Sequence, residues 1–214
     1  MNYFTKISIS GVVLVLLALS GCASRQPTSL LPTQVEHASQ AHAWELQGKL
    51  AVRTPDDKFS TNLYWFHTQS NDELTLTTML GTTVMTLTKR PNQATLALDG
   101  KVYQDTEAER LLKRLTGWSI PVDTLPLWIT GQISPQDEVI TFDAQGRPQE
   151  VLNHTDNTPW QVSFNSWQQQ SGADVPRLLT LQRDEIRLKL QVNQWQALTP
   201  HSITDAQSES TDDK

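Results

Sequence analysis

The sequence is poor in cysteine and in positive charge. Cys22 is the only cysteine among 214 residues, so no disulfide can form within the chain and stability must come from the burial of apolar side chains. The 17 Lys and Arg residues are outnumbered by 23 Asp and Glu residues, which gives a formal net charge of −6. Because phosphate binding requires a basic face, this balance predicts that nucleic acid is not a partner.

The motifs that mark catalytic and metal sites are also missing. The sequence has no Gly-x-Ser-x-Gly, no phosphate-binding glycine loop and no Cys-x-x-Cys. Its five histidines show no spacing typical of metal ligands: His37, His42, His67, His154 and His201. We therefore predict that the protein is not an enzyme and that it requires neither a metal nor another cofactor.

Long apolar runs are confined to the N-terminus. Residues 11–19 form an apolar stretch after Lys6, which is too short for a membrane-spanning helix of roughly 20 residues. This layout predicts a secretory signal peptide over residues 1–21. The stretch ends in Leu19-Ser20-Gly21-Cys22, and this ending resembles the lipobox of bacterial lipoproteins. An ordinary secretion signal that happens to end near a cysteine is the alternative.

The lipobox resemblance implies how the mature chain is held at a membrane. It implies cleavage before Cys22, diacylglycerol on the Cys22 sulfur and acylation of the new amino group. Each buried methylene contributes about 0.8 kcal/mol, so three acyl chains give stable anchoring where one would be marginal. Ala23 stands where Asp would retain a lipoprotein at the inner membrane, which implies the outer membrane.

Composition divides the rest of the chain into a tether, one domain and a tail. Residues 22–32 contain Pro27 and Pro32 among small polar residues, which is typical of a tether. Residues 33–200 have the length and apolar content of one domain. Residues 201–214 carry four acids and almost no apolar side chains, so we predict a disordered polar tail.

The domain is predicted to be α+β. Apolar and polar residues alternate from Trp44 onward, in short segments separated by turn residues, which indicates an antiparallel meander. We predict about eleven strands, with helices inserted after the sixth, and a sheet of this length must curl. A capping box at Thr33–Glu36 predicts a helix over 34–43.

Two further helices are predicted in the middle of the domain. A capping box at Thr106–Glu109 precedes leucines at helical spacing, and Gly117 ends that segment. Asp123 to Ile129 is predicted to form a second short helix capped by Asp123. The curled sheet and these helices could enclose either a solid core or a space for a ligand, and composition does not separate these alternatives.

Met79-Leu80-Gly81 ends one predicted strand at a hairpin. Gly81 can adopt a positive φ there, which would place Leu80 at the tip of a loop. A single exposed leucine is ordinary in soluble proteins, so this position does not by itself indicate a function.

Taken together, these segments resemble the LolB family of outer-membrane lipoprotein receptors. The resemblance runs from about Trp44 to Trp195. It rests on four motifs: Leu46-Gln47-Gly48-Lys49-Leu50-Ala51, Leu80-Gly81-Thr82-Thr83, Leu115-Thr116-Gly117-Trp118-Ser119-Ile120-Pro121 and Trp128-Ile129-Thr130-Gly131. It implies a curled, incomplete antiparallel β-barrel whose helices cover an apolar cavity for acyl chains.

The resemblance also implies partners and site residues. A LolB-like monomer receives lipoproteins from a LolA-like periplasmic carrier and places them in the inner leaflet of the outer membrane. Leu80, flanked by Met79 and Gly81, corresponds to the membrane-targeting loop. Parity and helical spacing select the cavity residues: Leu63, Trp65, Leu76, Leu87, Leu96, Leu98, Leu111, Leu115, Trp118 and Trp128. The alternative function is a lipid-anchored envelope scaffold or assembly subunit with a solid core.

Overall fold

The computed structural model describes residues 29–155 and 157–200. The predicted signal peptide, Cys22, most of the tether and the polar tail lie outside these residues. The described part contains one antiparallel sheet and two short helices, which confirms the α+β prediction.

Twelve strands form this sheet. They are β1 (Leu30–Pro32), β2 (Ala43–Arg53), β3 (Lys58–Thr68), β4 (Asn71–Thr77), β5 (Thr83–Arg90), β6 (Gln93–Leu98), β7 (Lys101–Asp105), β8 (Asp137–Phe142), β9 (Pro148–Asn153), β10 (Trp160–Gln170), β11 (Ala173–Arg183) and β12 (Ile186–Pro200). Their order is β7-β6-β5-β4-β3-β2-β12-β11-β10-β9-β8, and β1 pairs with the end of β12. Since β7 and β8 do not pair with each other, the sheet is not closed.

Two meanders meet at a single long-range pairing of strands. Strands β2–β7 and β8–β12 are each built from neighbours in sequence, and β2 joins them by pairing with β12, with Leu46 opposite Trp195. The pairing shifts between Val192 and Gln194. Opposite this shift lies Gly48, where an added Cβ would stand 2.2 Å from the backbone oxygen of Gln191. Only glycine therefore allows the two backbones to approach so closely.

The alternation of apolar and polar residues determines which face of the sheet is buried. The inward residues of neighbouring strands face one another directly: Leu46 pairs with Trp65, Trp65 with Leu74, and Leu87 with Leu96. Burial of each such side chain contributes about 1.5–3 kcal/mol relative to its exposure. The side chains that the alternation predicts to face inward are therefore the ones buried in the structure.

Helix α1 (Ala108–Thr116) packs against β6 and β7, and helix α2 (Leu125–Ile129) packs against β11. The predicted capping box at the start of α1 does not form, because Asp105 Oδ1 accepts the backbone N–H groups of Thr106 and Glu107. The helix ends at Gly117, as predicted, with φ of +77°. Asp123 does not cap α2, since Thr124 occupies that position.

The predicted helix over 34–43 is wrong. Only one turn of 3-10 helix forms, at Ala38–Gln40. The backbone N–H groups of Thr33 and Val35 instead donate to Ala197 and Ser171, respectively. The N-terminal segment is thus bound along the sheet, because pairing with β12 supplies hydrogen bonds that a short, weakly amphipathic helix would lack.

Candidate functional site

An apolar cavity of about 50 Å³ lies between the sheet and the helical segment. We call α1, α2 and the connecting residues 117–124 the lid. No lining side chain is charged or carries a hydroxyl group. The sheet contributes Leu50, Leu63, Trp65, Leu74, Leu76, Met85, Leu87, Leu181, Leu188 and Leu190, and the lid contributes Leu112, Trp118, Ile120, Val122 and Leu125.

Half of the predicted cavity residues border this space. They are Leu63, Trp65, Leu76, Leu87 and Trp118. The other five lie elsewhere in the apolar core: Leu96, Leu98, Leu111, Leu115 and Trp128. Strand β6, which carries the first two, lies one strand beyond β5, and α1 packs against it. Trp128 is directed toward β8, where its indole N–H donates to Asp137 Oδ2 at 3.0 Å.

Sequence reasoning missed the contribution of the C-terminal strands. Leu181, Leu188 and Leu190 line the cavity because β12 pairs with β2 and so brings β11 and β12 opposite the lid. The alternation of Leu188 and Leu190 indicated an inward face. Nothing in the sequence indicated that this face belongs to the same cavity.

The cavity is too small for an acyl chain in the conformation described. About 10–15 Å³ measured in this way holds one water molecule, so about 50 Å³ corresponds to a few waters. A hydrocarbon chain therefore requires the lining side chains of the sheet and the lid to move apart. The contacts that hold the lid determine how readily this happens.

One polar contact joins the connecting residues of the lid to strand β5. Lys89 Nζ on β5 lies 2.6 Å from Asp123 Oδ1, just before α2. The same ammonium is 3.6 Å from the buried carboxylate of Asp72. Asp72 also accepts the indole N–H of Trp65 at 3.0 Å and contacts His67 Nδ1 at 2.6 Å. A network of charged and polar groups thus connects the cavity wall to the lid.

A second set of contacts lies on the other side of the lid. The rings of Trp118 and Phe59 stack with their centroids 4.9 Å apart. The guanidinium of Arg183 on β11 donates to the Ser119 carbonyl oxygen at 2.9 Å and lies 4.5 Å from the ring centroid of Trp160. These contacts attach the connecting segment to both β3 and β11.

Helix α1 is fastened to β7 by an ionic cluster. Arg110 and Arg114 both bind the carboxylate of Asp105. The hydrogen bond from Arg110 holds the pKa of Asp105 well below its ordinary value, and the backbone N–H groups of Glu107 and Thr106 act in the same direction. Asp105 therefore stays ionised at any physiological pH.

The hairpin between β4 and β5 presents the predicted loop residue to solvent. Leu80 is 95% exposed and Met79 is exposed beside it. The loop is closed by hydrogen bonds from Thr78 N to Thr82 O at 2.8 Å and from Gly81 N to Thr78 O at 3.0 Å. Gly81 has φ of +86°, a conformation that other residues rarely adopt. The loop is thus held in a defined turn with Leu80 directed outward.

Over 29–155 and 157–200 there is no group of three or more potential metal ligands. In the same part of the chain no helix has the length and apolar character needed to cross a membrane.

Comparison with known proteins places these features in a family. The model of the family "Outer membrane lipoprotein LolB" matches residues 42–195. The outer-membrane lipoprotein LolB of Shewanella loihica is 73% identical over 214 residues, which cover 100% of this chain and 98% of the relative. That of Shewanella woodyi is 58% identical over 203 residues, which cover 95% of each chain.

Among solved structures, the chain is similar to a LolA superfamily protein, NE2245, from Nitrosomonas europaea. The TM-score is 0.49 at 6% identity, over 73% of this chain and 86% of that one. The family assignment rests on the family model and the sequence relatives.

Proposed function

The chain belongs to the LolB family of outer-membrane lipoproteins, and from this premise we propose that it accepts lipoproteins from a LolA-like periplasmic carrier and inserts them into the inner leaflet of the outer membrane. The same membership confirms the predictions that the chain is not an enzyme and that it resides at the outer membrane.

The observation that carries the proposal is the uniformly apolar space between sheet and lid. Several tens of acyl methylenes at roughly 0.8 kcal/mol each would cost about 30 kcal/mol to expose to water. A lipoprotein therefore has to pass directly from one apolar mouth to another. The sequence has no nucleotide-binding motif, so transfer runs downhill in affinity.

The small cavity is then the closed form of the acyl-chain site. Five lid side chains face ten sheet side chains across it, and all of them are apolar. When an acyl chain enters, hydrocarbon replaces the lid as the partner of the sheet, so little apolar surface is exposed to water. The main cost of opening is the loss of the few polar and stacking contacts at the edges of the lid.

We infer that Cys22 carries the lipid anchor, as the lipobox resemblance implies. Between it and β1, residues 22–29 can extend by about 3.3–3.6 Å per residue, or roughly 25 Å in all. The pairing of β1 with the end of β12 attaches this tether to the sheet. The pairings of Ala43 with Thr68 and of Thr68 with Asn71 place β1 at the end of the sheet where β4 begins, and the Leu80 loop follows the other end of β4. The tether therefore has to be nearly extended when the loop touches the membrane that holds the anchor.

Leu80 is the membrane-contact residue in this proposal. Its side chain lies in water without an apolar partner, so insertion into a bilayer removes apolar surface from water at no cost to the fold. Burial of one leucine contributes about 1.5–3 kcal/mol, which is enough to bias the direction of release.

The test is transfer of a labelled lipoprotein from the carrier to the mature chain and then to vesicles. We expect Leu80→Glu to accept the lipoprotein normally and to deliver it to vesicles at least tenfold more slowly. Phe142→Glu is the matched control, because Phe142 is exposed on the opposite edge strand β8. Normal delivery by Leu80→Glu would remove Leu80 from the mechanism.

One observation favours the scaffold alternative, namely the small volume of the cavity. A fluorescent fatty acid separates the two functions, because a cavity that opens binds the probe stoichiometrically and a solid core does not. Absence of both probe binding and transfer from the carrier would favour a scaffold and refute the proposed receptor function.

A further inference from the structure

Exposed apolar side chains at the Leu80 end of the sheet are not confined to the loop itself. Strands β5 and β6 are antiparallel neighbours, with Met85 opposite Leu98. The loop at 78–82 and the hairpin at Asp99–Gly100 therefore lie at the same end. Val84 on β5 and Val102 on β7 are 42% and 64% exposed near this end.

Both valines are exposed near this end of the sheet. Thr86 pairs with Ala97, and Ala97 pairs with Val102, so these side chains point to the same side. Since Met85 and Leu87 point into the core, Val102 lies on the outer face. Val84 lies at the register shift between β4 and β5, and its side chain is exposed at the strand end beside this face.

One row of this outer face is uncharged across four strands, and the nearest charge on β4 is Glu73, two residues from Thr75. Thr75 on β4 pairs with Thr86, which continues the row through Ala97 to Val102. No member of the row is ionisable, although 19% of the chain is charged. In the hairpin beyond it, Asp99 and Lys101 carry opposite charges, so this hairpin adds no excess of negative charge that would repel phosphate groups.

We propose that Val84 and Val102 contact the bilayer together with Leu80, so that the membrane-binding surface is an end of the sheet and not a single loop. This proposal rests on the proposed function. Val84 lies about three residues behind Gly81, or roughly 10 Å along the strand. Val102 is level with Thr86, two residues farther from the loop, at roughly 17 Å. Interfacial apolar segments penetrate roughly 5–10 Å into the headgroup region, so Val84 reaches the headgroup level when Leu80 enters the acyl chains, and Val102 reaches it when the sheet inclines toward β7.

The experiment uses the lipidated full chain in vesicles of phosphatidylethanolamine and phosphatidylglycerol. The chain has no cysteine besides Cys22, whose sulfur carries the lipid, so an introduced cysteine is the only free thiol. An environment-sensitive fluorophore is attached in turn to Leu80→Cys, Val84→Cys and Val102→Cys. Ile140→Cys and Phe142→Cys on β8 are matched controls, because their parent side chains are 50% and 61% exposed.

We expect a blue shift and quenching by lipid-borne quenchers at positions 80, 84 and 102, and accessibility to aqueous iodide at positions 140 and 142. A response at position 80 without one at 84 and 102 would overturn this inference and leave the proposed function intact. No response at any of the three would refute both. A response at 84 and 102 to the carrier or to protein concentration in detergent, without vesicles, would assign the face to a protein partner.

A second set of variants tests the same surface without a fluorophore. Val84→Glu combined with Val102→Glu should lower delivery to vesicles about tenfold while acceptance from the carrier is unchanged, whereas Ile140→Glu combined with Phe142→Glu should have no effect. A circular dichroism spectrum that matches the wild-type spectrum establishes that each variant is folded. Equal delivery by both double variants would also overturn the inference.

Discussion

The contact between Lys89 and Asp123 offers a direct test of whether the lid is the entrance to the interior. Asp123→Asn preserves the size of the side chain and removes its charge. The mutated side chain is mostly exposed, so no buried group loses a partner other than Lys89. Lys89 retains the carboxylate of Asp72 at 3.6 Å. The perturbation is therefore confined to the link between sheet and lid.

The size of the expected effect follows from the exposure of this ion pair to water. Ion pairs of this kind contribute about 0.2–1 kcal/mol, because water and salt screen the charges. One kcal/mol corresponds to about a fivefold change in an equilibrium constant. We expect the population of molecules with an open lid, and hence the rate of fatty-acid uptake, to rise by a factor of up to about five. Global stability should change by no more than 1 kcal/mol.

The assay is stopped-flow uptake of a fluorescent fatty acid at increasing salt concentration. The Debye length falls from about 10 Å at 0.1 M to about 3 Å at 1 M ionic strength, so salt should accelerate uptake by the wild type. Uptake by Asp123→Asn should be faster at low salt and nearly insensitive to salt. Glu138→Gln, which breaks an exposed pair with His154 that includes no lid residue, is the control. If salt and Asp123→Asn leave the uptake rate unchanged, this contact does not limit opening.

Three further predictions concern stability. Gly48→Ala should destabilise the fold by about 3 kcal/mol in urea unfolding, because its Cβ meets the Gln191 carbonyl oxygen at 2.2 Å and separates β2 from β12; an unchanged midpoint would contradict the close approach. Asp105→Asn should lower the free energy of unfolding at neutral pH, because a carboxylate with a depressed pKa stabilises the fold only while it is ionised. The difference in free energy from the wild type should shrink as the pH falls below about 4, the pKa of an unfolded aspartate, and should vanish below the lowered pKa of Asp105. Trp128→Phe should lower stability by about 1–3 kcal/mol in thermal unfolding, because it removes both the hydrogen bond to Asp137 and part of a fully buried ring; an unchanged transition would contradict the buried position of this side chain.

The strands and helices were largely predictable because their signals are local. Alternation placed Leu63, Trp65 and Leu76 on the inward face, and all three border the cavity. The predicted Gly117 helix end is present, since it depends on one residue and its neighbours. The prediction of a helix over 34–43 was wrong because residues of this segment form hydrogen bonds with distant parts of the sheet. Helical propensity is a local property and carries no information about such distant partners.

The cavity was predictable only in part, because its lining depends on which strands meet. The alternation of apolar residues correctly predicted that Leu96 points into the core, where it is fully buried. It could not indicate that α1 packs against β6 there, so that Leu96 does not border the cavity. Leu188 and Leu190 line the cavity through the pairing of β12 with β2, which joins residues far apart in the sequence.

By itself, the sequence determined the faces of the strands, the turn that exposes Leu80 and the family, because periodicity, turn residues and motifs are properties of short segments. Tertiary structure alone decided which leucines share one enclosed space, where the lid is fastened and which valines lie beside Leu80. Those properties arise from contacts between segments distant in the chain, whose free energies exist only once the sheet has assembled.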